Sequence, residues 1–386
     1  MSTTDAMAAA ITLTEAELDL YVTHAPTRGL LTGPGLPDDS DLLTFAALRT
    51  TGLRTLADAV DGPARLAGEL RDRLVIGELL GPVGMETESI LLDGSTGEIT
   101  TTDLLDPTDS RPLAPSLHTL LRFAAVTEEL AGLRGRFARY AGRYGTKTAT
   151  EASRRLLALF EEGTDGEVPP YWKAAALIRP LSLVASPGTA RGLALDLPGR
   201  LLDEEFGPGR VARFEEVDFP AALTHEPTRR FLRETGLPED AVLFRLDTDV
   251  PLPTLTEYYR DERSGEYPLE VLPAHSDRLI RLGHLVEDNS LVVDGSTGAI
   301  LNFSEPEAAL YPLNTDISTL AYTLWLLHHE RTIDEHLGHE LTTEAYDQLA
   351  ATMIRTLTSI DTTPTTTDAD WHYWTELFQD EAGGVL

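Results

Sequence analysis

A repeat in register runs through this chain. Thr23-His24-Ala25-Pro26-Thr27-Arg28 returns as Thr224-His225-Glu226-Pro227-Thr228-Arg229, and Gly35-Leu36-Pro37-Asp38-Asp39 as Gly236-Leu237-Pro238-Glu239-Asp240. Asp93-Gly94-Ser95-Thr96-Gly97 returns unchanged as Asp294 to Gly298, and all three pairs share an offset of 201. Pro112-Leu113 and Thr119-Leu120 match Pro312-Leu313 and Thr319-Leu320 at 200, and Tyr171-Trp172 matches Tyr373-Trp374 at 202. Chance gives one such match, not six in order. The period is far beyond the ~20–50 residues of a solenoid repeat, so it marks a duplicated domain. The length of 386 residues agrees: it is two domains at ~150 residues each, and each half is long enough to bury its own core.

The repeated blocks have mechanical readings. Thr224 suits a helix N-cap, Glu226 favours the positive helix start, and Pro227 is tolerated in the first turn. Phe231 and Leu232 then face the core, and Gly236 followed by Pro238 stops the helix. In the first copy Gly33-Pro34 intrudes, which predicts an end about a turn earlier. Apolar runs at Leu42–Phe45, Arg73–Leu80 and Ser89–Leu92, with Val242–Leu246, Leu279–Leu285 and Ser290–Val293 in the second copy, read as strands. Asp-Gly before Ser-Thr-Gly is a tight-turn signal, so Leu291–Val293 and Ala299–Phe303 form a hairpin. Leu117, Leu120, Leu121 and Ala124, like Ile317, Leu320, Leu324 and Leu327, have helical spacing, with Asn314 or Asp316 as a cap for the second set. Further helices are expected near Ala149–Phe160 and Thr343–Thr358, and a terminal aromatic segment carries Trp172, or Trp371 and Trp374. The predicted class is α+β, two tandem domains, each a mostly antiparallel sheet packed against helices. Expected boundaries are 1–180 and 199–386, with 181–198 as a linker on the strength of its prolines and glycines; Thr362–Thr367 reads as a polar loop.

Charge narrows the partners. The chain has 31 basic and 63 acidic residues, a formal charge of −32. Residues 1–200 hold 19 basic and 27 acidic side chains, residues 201–386 hold 12 and 36. That balance argues against a nucleic-acid backbone or an anionic membrane as partner; it reads either as solubility or a habitat that favours acidic proteins, or as a field that favours a basic protein and speeds its encounter. There is no cysteine, which removes disulfides, thiolate metal sites and cysteine nucleophiles. Met1–Ala10 has an aspartate and no basic residue, unlike a signal peptide. No apolar run nears the ~20 residues of a membrane helix. The expected location is the cytoplasm.

Chemistry-bearing motifs are few. There is no P-loop, no dinucleotide fingerprint, no H-E-x-x-H and no G-x-S-x-G, and no cofactor is expected. Asp-Gly-Ser-Thr-Gly joins two strands rather than opening a helix, so it reads as a turn, not a phosphate cradle. His328, His329, His336 and His339 with Glu330, Glu335 and Glu340 are the metal candidate; Gly338 between two of them reads instead as a turn at a solvated helix end. His24 and His225 read as first-turn histidines with local hydrogen bonds, since neither has a nucleophile or acid placed in both copies. Asp247–Pro268 is the candidate partner surface: Asp247, Asp249, Asp261, Glu262 and Glu266 lie among Tyr258, Tyr259 and Tyr267. Tyrosines supply contact area and acids supply complementarity. The alternative is a long loop whose tyrosines are partly buried. The first copy lacks this combination at Arg49–Glu69.

The second copy resembles SUKH-type immunity proteins, in particular the fourth subgroup. The resemblance rests on Phe206-Gly207-Pro208-Gly209, Leu223 to Arg229 with Phe231-Leu232, Gly236-Leu237-Pro238, Gly283, Val293 to Gly298, and Pro312-Leu313-Asn314, from about residue 199 to the end. The first copy resembles the family over about residues 13–180; it lacks the Phe-Gly-Pro-Gly block, and Ala114-Pro115-Ser116 stands where the second has Asn314-Thr315-Asp316. The resemblance implies a sheet backed by helices, no catalytic residues, and stoichiometric binding that neutralises a cognate toxin of a polymorphic toxin system, a nuclease or deaminase. A strongly acidic chain suits a basic toxin. Two other readings stand beside it: a regulatory or scaffolding protein of the same fold, and a metal-dependent enzyme built on the 328–340 histidines.

Overall fold

The computed structural model describes residues 10–37, 40–60, 66, 68–81, 84, 86–104, 107, 110–164, 166–241, 243–261, 267–286, 288–363 and 372–379, leaving aside the side chains of 343, 344 and 379. The chain folds as two compact units, one of residues 1–141 and 151–179, the other of residues 142–150 and 180–386. No helix among the described residues is long and apolar enough to cross a membrane.

In chain order the first half contains α1 (Glu15–Leu18), α2 (Ala25–Thr32), β1 (Leu43–Thr44), α3 (Ala47–Thr51), β2 (Arg54–Thr55), α4 (Leu56–Ala59), β3 (Leu74–Leu80), β4 (Glu86–Leu92), β5 (Ile99–Thr102), β6 (Arg111–Ala114), α5 (Leu117–Ala131), α6 (Thr146–Glu161) and α7 (Pro170–Ile178). Then follow β7 (Ser186–Pro187), β8 (Leu195–Asp196), α8 (Leu201–Phe206), β9 (Val211–Ala212), α9 (Glu226–Glu234), β10 (Leu237–Pro238), β11 (Asp240–Ala241), β12 (Phe244–Leu246), α10 (Leu255–Asp261), β13 (Leu279–Leu285), β14 (Asn289–Asp294), β15 (Ile300–Ser304), β16 (Ala309–Asn314), α11 (Ile317–His336), α12 (Glu340–Thr358) and α13 (Tyr373–Gln379). The first sheet has the order β1-β3-β4-β5-β6 with β2 also on β3; the second runs β11 to β16 in sequence. All pairings are antiparallel. The α+β class and the antiparallel sheets of both copies are as the sequence predicts.

Both faces of each sheet are covered, which is why the strands read as apolar runs rather than alternating patterns. In the second unit Leu279, Val292 and Phe303 pack with Leu255 and Tyr259 of α10, while Ile280, Leu291, Val293 and Ile300 are buried on the opposite face. In the first unit Val75 and Leu91 pack with Leu56 of α4 and with Leu66 and Leu70. The helical side there has an aromatic nucleus, in which Phe123 lies 4.7 Å from Phe160 and 5.4 Å from Trp172. Trp172 Nε1 donates to the Leu113 carbonyl at 2.9 Å, and Trp374 Nε1 to Asn314 Oδ1 at 3.1 Å. The repeated Tyr-Trp pair therefore anchors a terminal helix to the last strand in both units. Trp371 lies outside the described residues.

The two most similar sequence blocks meet in space. The Gly94 carbonyl, at the tip of the β4–β5 hairpin, accepts the amides of Thr23 and His24 at 2.8 and 3.0 Å. Gly295 accepts those of Thr224 and His225 at 2.7 and 2.8 Å. His24 and His225 each share a 2.8 Å hydrogen bond with the threonine three residues on, the local bond expected of them. Thr224 is not the N-cap; that position is His225, because the Thr224 amide and hydroxyl are already committed to Gly295. Asp93 and Asp294 brace the turn by accepting the serine and threonine amides that follow. Burial alone would raise the Asp93 carboxyl, but these bonds and Arg73 outweigh it and hold it at about 2.

Two expectations shift. In the repeat's register α2 ends only one residue before α9, not a turn before. The reason is that Gly35 closes its helix onto the Leu30 carbonyl at 2.8 Å as Gly236 does onto Phe231 at 2.9 Å, so Gly33-Pro34 is absorbed without losing the closure. Residues 181–198 do not form a bare linker. They fold in the second unit as the β7–β8 pair, with Leu193, Leu195 and Leu197 buried and the Ala194 amide bonded to Asp316 at 2.6 Å. The remaining prediction of a polar loop at Thr362–Thr367 falls largely outside the described residues.

Two predictions follow from the hairpin clamp. A Cβ on Gly94 would overlap the Tyr21 carbonyl, and on Gly295 the Ala222 carbonyl. Gly94→Ala and Gly295→Ala should each destabilise their own unit by about 1–3 kcal/mol in urea unfolding, whereas Gly199→Ala, which meets nothing within 4 Å, should stay within ~0.5 kcal/mol. Because the folded Asp93 carboxyl sits at about 2, below its ordinary 3.8, its contribution is complete above that ordinary value and is lost as pH falls through the folded one. The stability gap between wild type and Asp93→Asn should therefore close between pH ~4 and ~2, as measured by denaturant midpoints across that range.

Candidate partner-binding surface

The segment after β12 is positioned by a buried cation. Arg281 sits on β13 at a bulge between Arg281 and Gly283, and its side chain is 5% exposed. Its Nε donates to Ser290 Oγ at 3.1 Å, its Nη1 pairs with Asp247, and its guanidinium lies 3.8 Å from the centroid of Tyr258. Its backbone amide also donates to the Pro253 carbonyl at 2.9 Å. Burial pulls the guanidinium down to about 10, with Glu305 opposing, so it stays charged at neutral pH and needs its partners. A buried cation with an ion pair, a hydroxyl and an aromatic face is a satisfied one.

α10 then begins with a reciprocal cap. The Thr254 amide and hydroxyl donate to Glu257 at 2.8 Å, and the Glu257 amide donates to Thr254 Oγ1 at 3.2 Å. The sequence T-L-T-E specifies that cap. Tyr259 is 1% exposed; its hydroxyl donates to Glu305 Oε1 at 2.7 Å and its ring packs 4.8 Å from Tyr267 and 5.8 Å from Phe303. Burial and the Glu305 carboxylate push that phenol well above its ordinary range. Tyr267 donates to the Glu305 carbonyl at 3.1 Å, and burial raises it as well.

The predicted set divides by burial. Tyr259 is core. Tyr258 and Tyr267 are half-buried against Arg281 and Phe303, and Asp247 neutralises Arg281. Tyrosines beside acids in sequence gave no sign that a buried cation on a distant strand would recruit them. Asp249 and Asp261 are exposed. Glu262 and Glu266 lie outside the described residues.

The exposed apolar residues here were missed. Val217 is 80% and Val250 53% exposed. Their segments run alongside each other, joined by the Leu252 amide and the Asp218 carbonyl at 2.9 Å. Leu269 and Val271, on the turn after Pro268, are also exposed. Among the described residues the exposed large hydrophobics of the second unit are these four and Tyr144, and these four lie on or beside the acidic segment. Apolar side chains within a charged rim are the anatomy of an interface. No periodicity announces them, because Val217 and Val250 come from segments far apart in sequence.

The four histidines do not share one site. His328 and His329 both turn Nδ1 onto Glu205, at 3.3 and 2.9 Å, and Trp325 Nε1 donates to the same carboxylate at 3.1 Å. Burial would raise Glu205, but the His329 and His328 contacts outweigh it and lower it. His336 bonds the Thr332 carbonyl of its own helix, and His339 lies 3.4 Å from Asp334 in the turn that Gly338 makes. Among the described residues no group of three or more His, Asp or Glu side chains is arranged to hold a metal ion. The stretch locks α8 to α11.

The SUKH-4 immunity protein model matches residues 5–162 and 197–380, one copy in each half. No curated protein and no solved structure matches the chain.

Asp247→Asn should destabilise the second unit by about 1–3 kcal/mol, because it leaves a buried guanidinium short of its charge partner. Asp249→Asn, on an exposed side chain, should change stability by less than ~0.5 kcal/mol. Thermal unfolding of the two variants side by side checks this.

Proposed function

The chain belongs to the SUKH-4 immunity protein family, and on that premise we propose that it neutralises a cognate toxin of a bacterial polymorphic toxin system by stoichiometric binding, without catalysis. The match across both halves carries this reading. The toxin is a basic nuclease or deaminase domain, and the interaction takes place in the cytoplasm of the producing cell. Support comes from charge: residues 201–386 hold 36 acidic against 12 basic side chains, and a nucleic-acid-handling domain is basic where it meets its substrate. Acid-on-base complementarity steers encounter and chooses partners.

The contact surface is on the second unit. Val217 and Val250, with Leu269 and Val271, form its apolar part, and Asp249 and Asp261 its charged rim. The buried Arg281 cluster holds the segment in one conformation before binding, which lowers the entropy lost on association.

Co-purification of the full chain with the toxin-like product of the adjacent gene tests this. The expected result is a one-to-one complex of nanomolar affinity. Asp249→Lys with Asp261→Lys should slow association by roughly tenfold at low salt, an effect that shrinks as salt screens the rim. Val217→Ala and Val250→Ala should act on dissociation instead. Absence of any complex would turn the reading towards a regulatory or scaffolding role for the same fold.

A further inference from the structure

The corner at the end of the last strand is closed in one unit and open in the other. In the second unit β16 ends at Asn314, and Thr315 follows. Asp361 occupies that corner, accepting the Thr315 amide at 2.8 Å, the Thr315 hydroxyl at 2.7 Å and Asn314 Nδ2 at 3.3 Å. The chain thus plugs the site with its own carboxylate.

In the first unit the same positions are Ala114 and Pro115. Neither has a side-chain donor, and Pro115 has no amide hydrogen, so nothing remains to hold such a plug. The corner is instead a groove of about 220 Å³, walled by Pro112, Ala114, Pro115 and Pro169, with Glu98 and Glu167 on its lining. The Trp172 bond to the Leu113 carbonyl fixes the strand between those walls. Glu98 is itself a change of character, since Ala299 stands at its place in the second copy. Both carboxylates belong to exposed residues, and Glu98 lies 3.4 Å from Arg73.

These features select an occupant. The volume is below the ~300 Å³ at which small-molecule pockets begin, so one long side chain fits rather than a cofactor. Proline and alanine walls suit a methylene stem, and two carboxylates suit a cationic head left near water. A planar guanidinium can engage two carboxylates at once and sheds water more readily than an ammonium. We propose that this groove receives an arginine side chain from a basic segment of the bound toxin, making the first unit a second point of attachment. The proposal rests on the toxin-binding reading above.

The test uses the full chain and its Glu98→Gln/Glu167→Gln variant, whose exposed positions should leave the unfolding midpoint unchanged. Hydrogen exchange is followed with a blocked tri-arginine peptide and, separately, with the purified toxin. The expected result is protection of segments 111–117 and 163–170 by both in wild type, loss of the peptide's protection in the variant, and roughly tenfold weaker toxin binding by the variant. Equal toxin affinity for both proteins, with the two segments unprotected, would overturn the groove while toxin binding stood. Protection by the peptide with no toxin bound by wild type would keep the groove as an arginine site and remove the toxin reading.

Discussion

Each unit depends on one carbonyl oxygen at the tip of a hairpin. Gly94 and Gly295 each accept two successive backbone amides from the chain that enters the first long helix. The first amides of a helix lack partners within it, and a hairpin tip has carbonyls without strand partners. The contact resolves both, and it ties the helix entry to the middle of the sheet. It works only at close range, where a side chain on the tip residue would collide with the opposing carbonyl. Glycine is therefore obligatory there. The aspartate before it must accept the following amides, and the helix must start with residues that leave its first amides free to turn inward. Two short sequence blocks, 71 residues apart in each copy, are bound together by that geometry.

This explains which parts of the molecule were legible in the sequence. The duplication, the α+β class, the hairpins and the helices of both copies are written in short blocks whose residues act locally or meet their repeated partner. The bulge glycines, Gly77 and Gly283, were harder to pair. Each lies against the carbonyl of a neighbouring strand, Thr44 or Arg245, but their offset is 206 rather than 201, because the second copy has a longer segment between β12 and β13. The proposed partner surface was least legible. Its tyrosines were drawn inward by Arg281 and Phe303, and its apolar residues came from segments with no shared pattern.

Divergence between the copies follows from what each does with unsatisfied polar groups. The second unit uses Asp361 to satisfy Asn314 and Thr315, Glu205 to gather His328, His329 and Trp325, and Asp247 to neutralise Arg281. Its acids are partly internal fittings, so its large negative charge is not all available at the surface. The first unit replaces such groups with alanine and proline at the matching corner, where Glu98 and Glu167 stay exposed.

Pro112 and Pro312 occupy matching places on β6 and β16, the last strands of their sheets. Proline offers no hydrogen to a neighbouring strand, so it is at home on a sheet edge and discourages further pairing there. An open sheet edge is at risk of capturing another polypeptide, or another copy of the same chain, by strand addition, which recognises any backbone. With a proline in each outer strand, that indiscriminate route is blunted on the β6 and β16 edges. What remains for recognition is side-chain shape and charge, which can tell one partner from another.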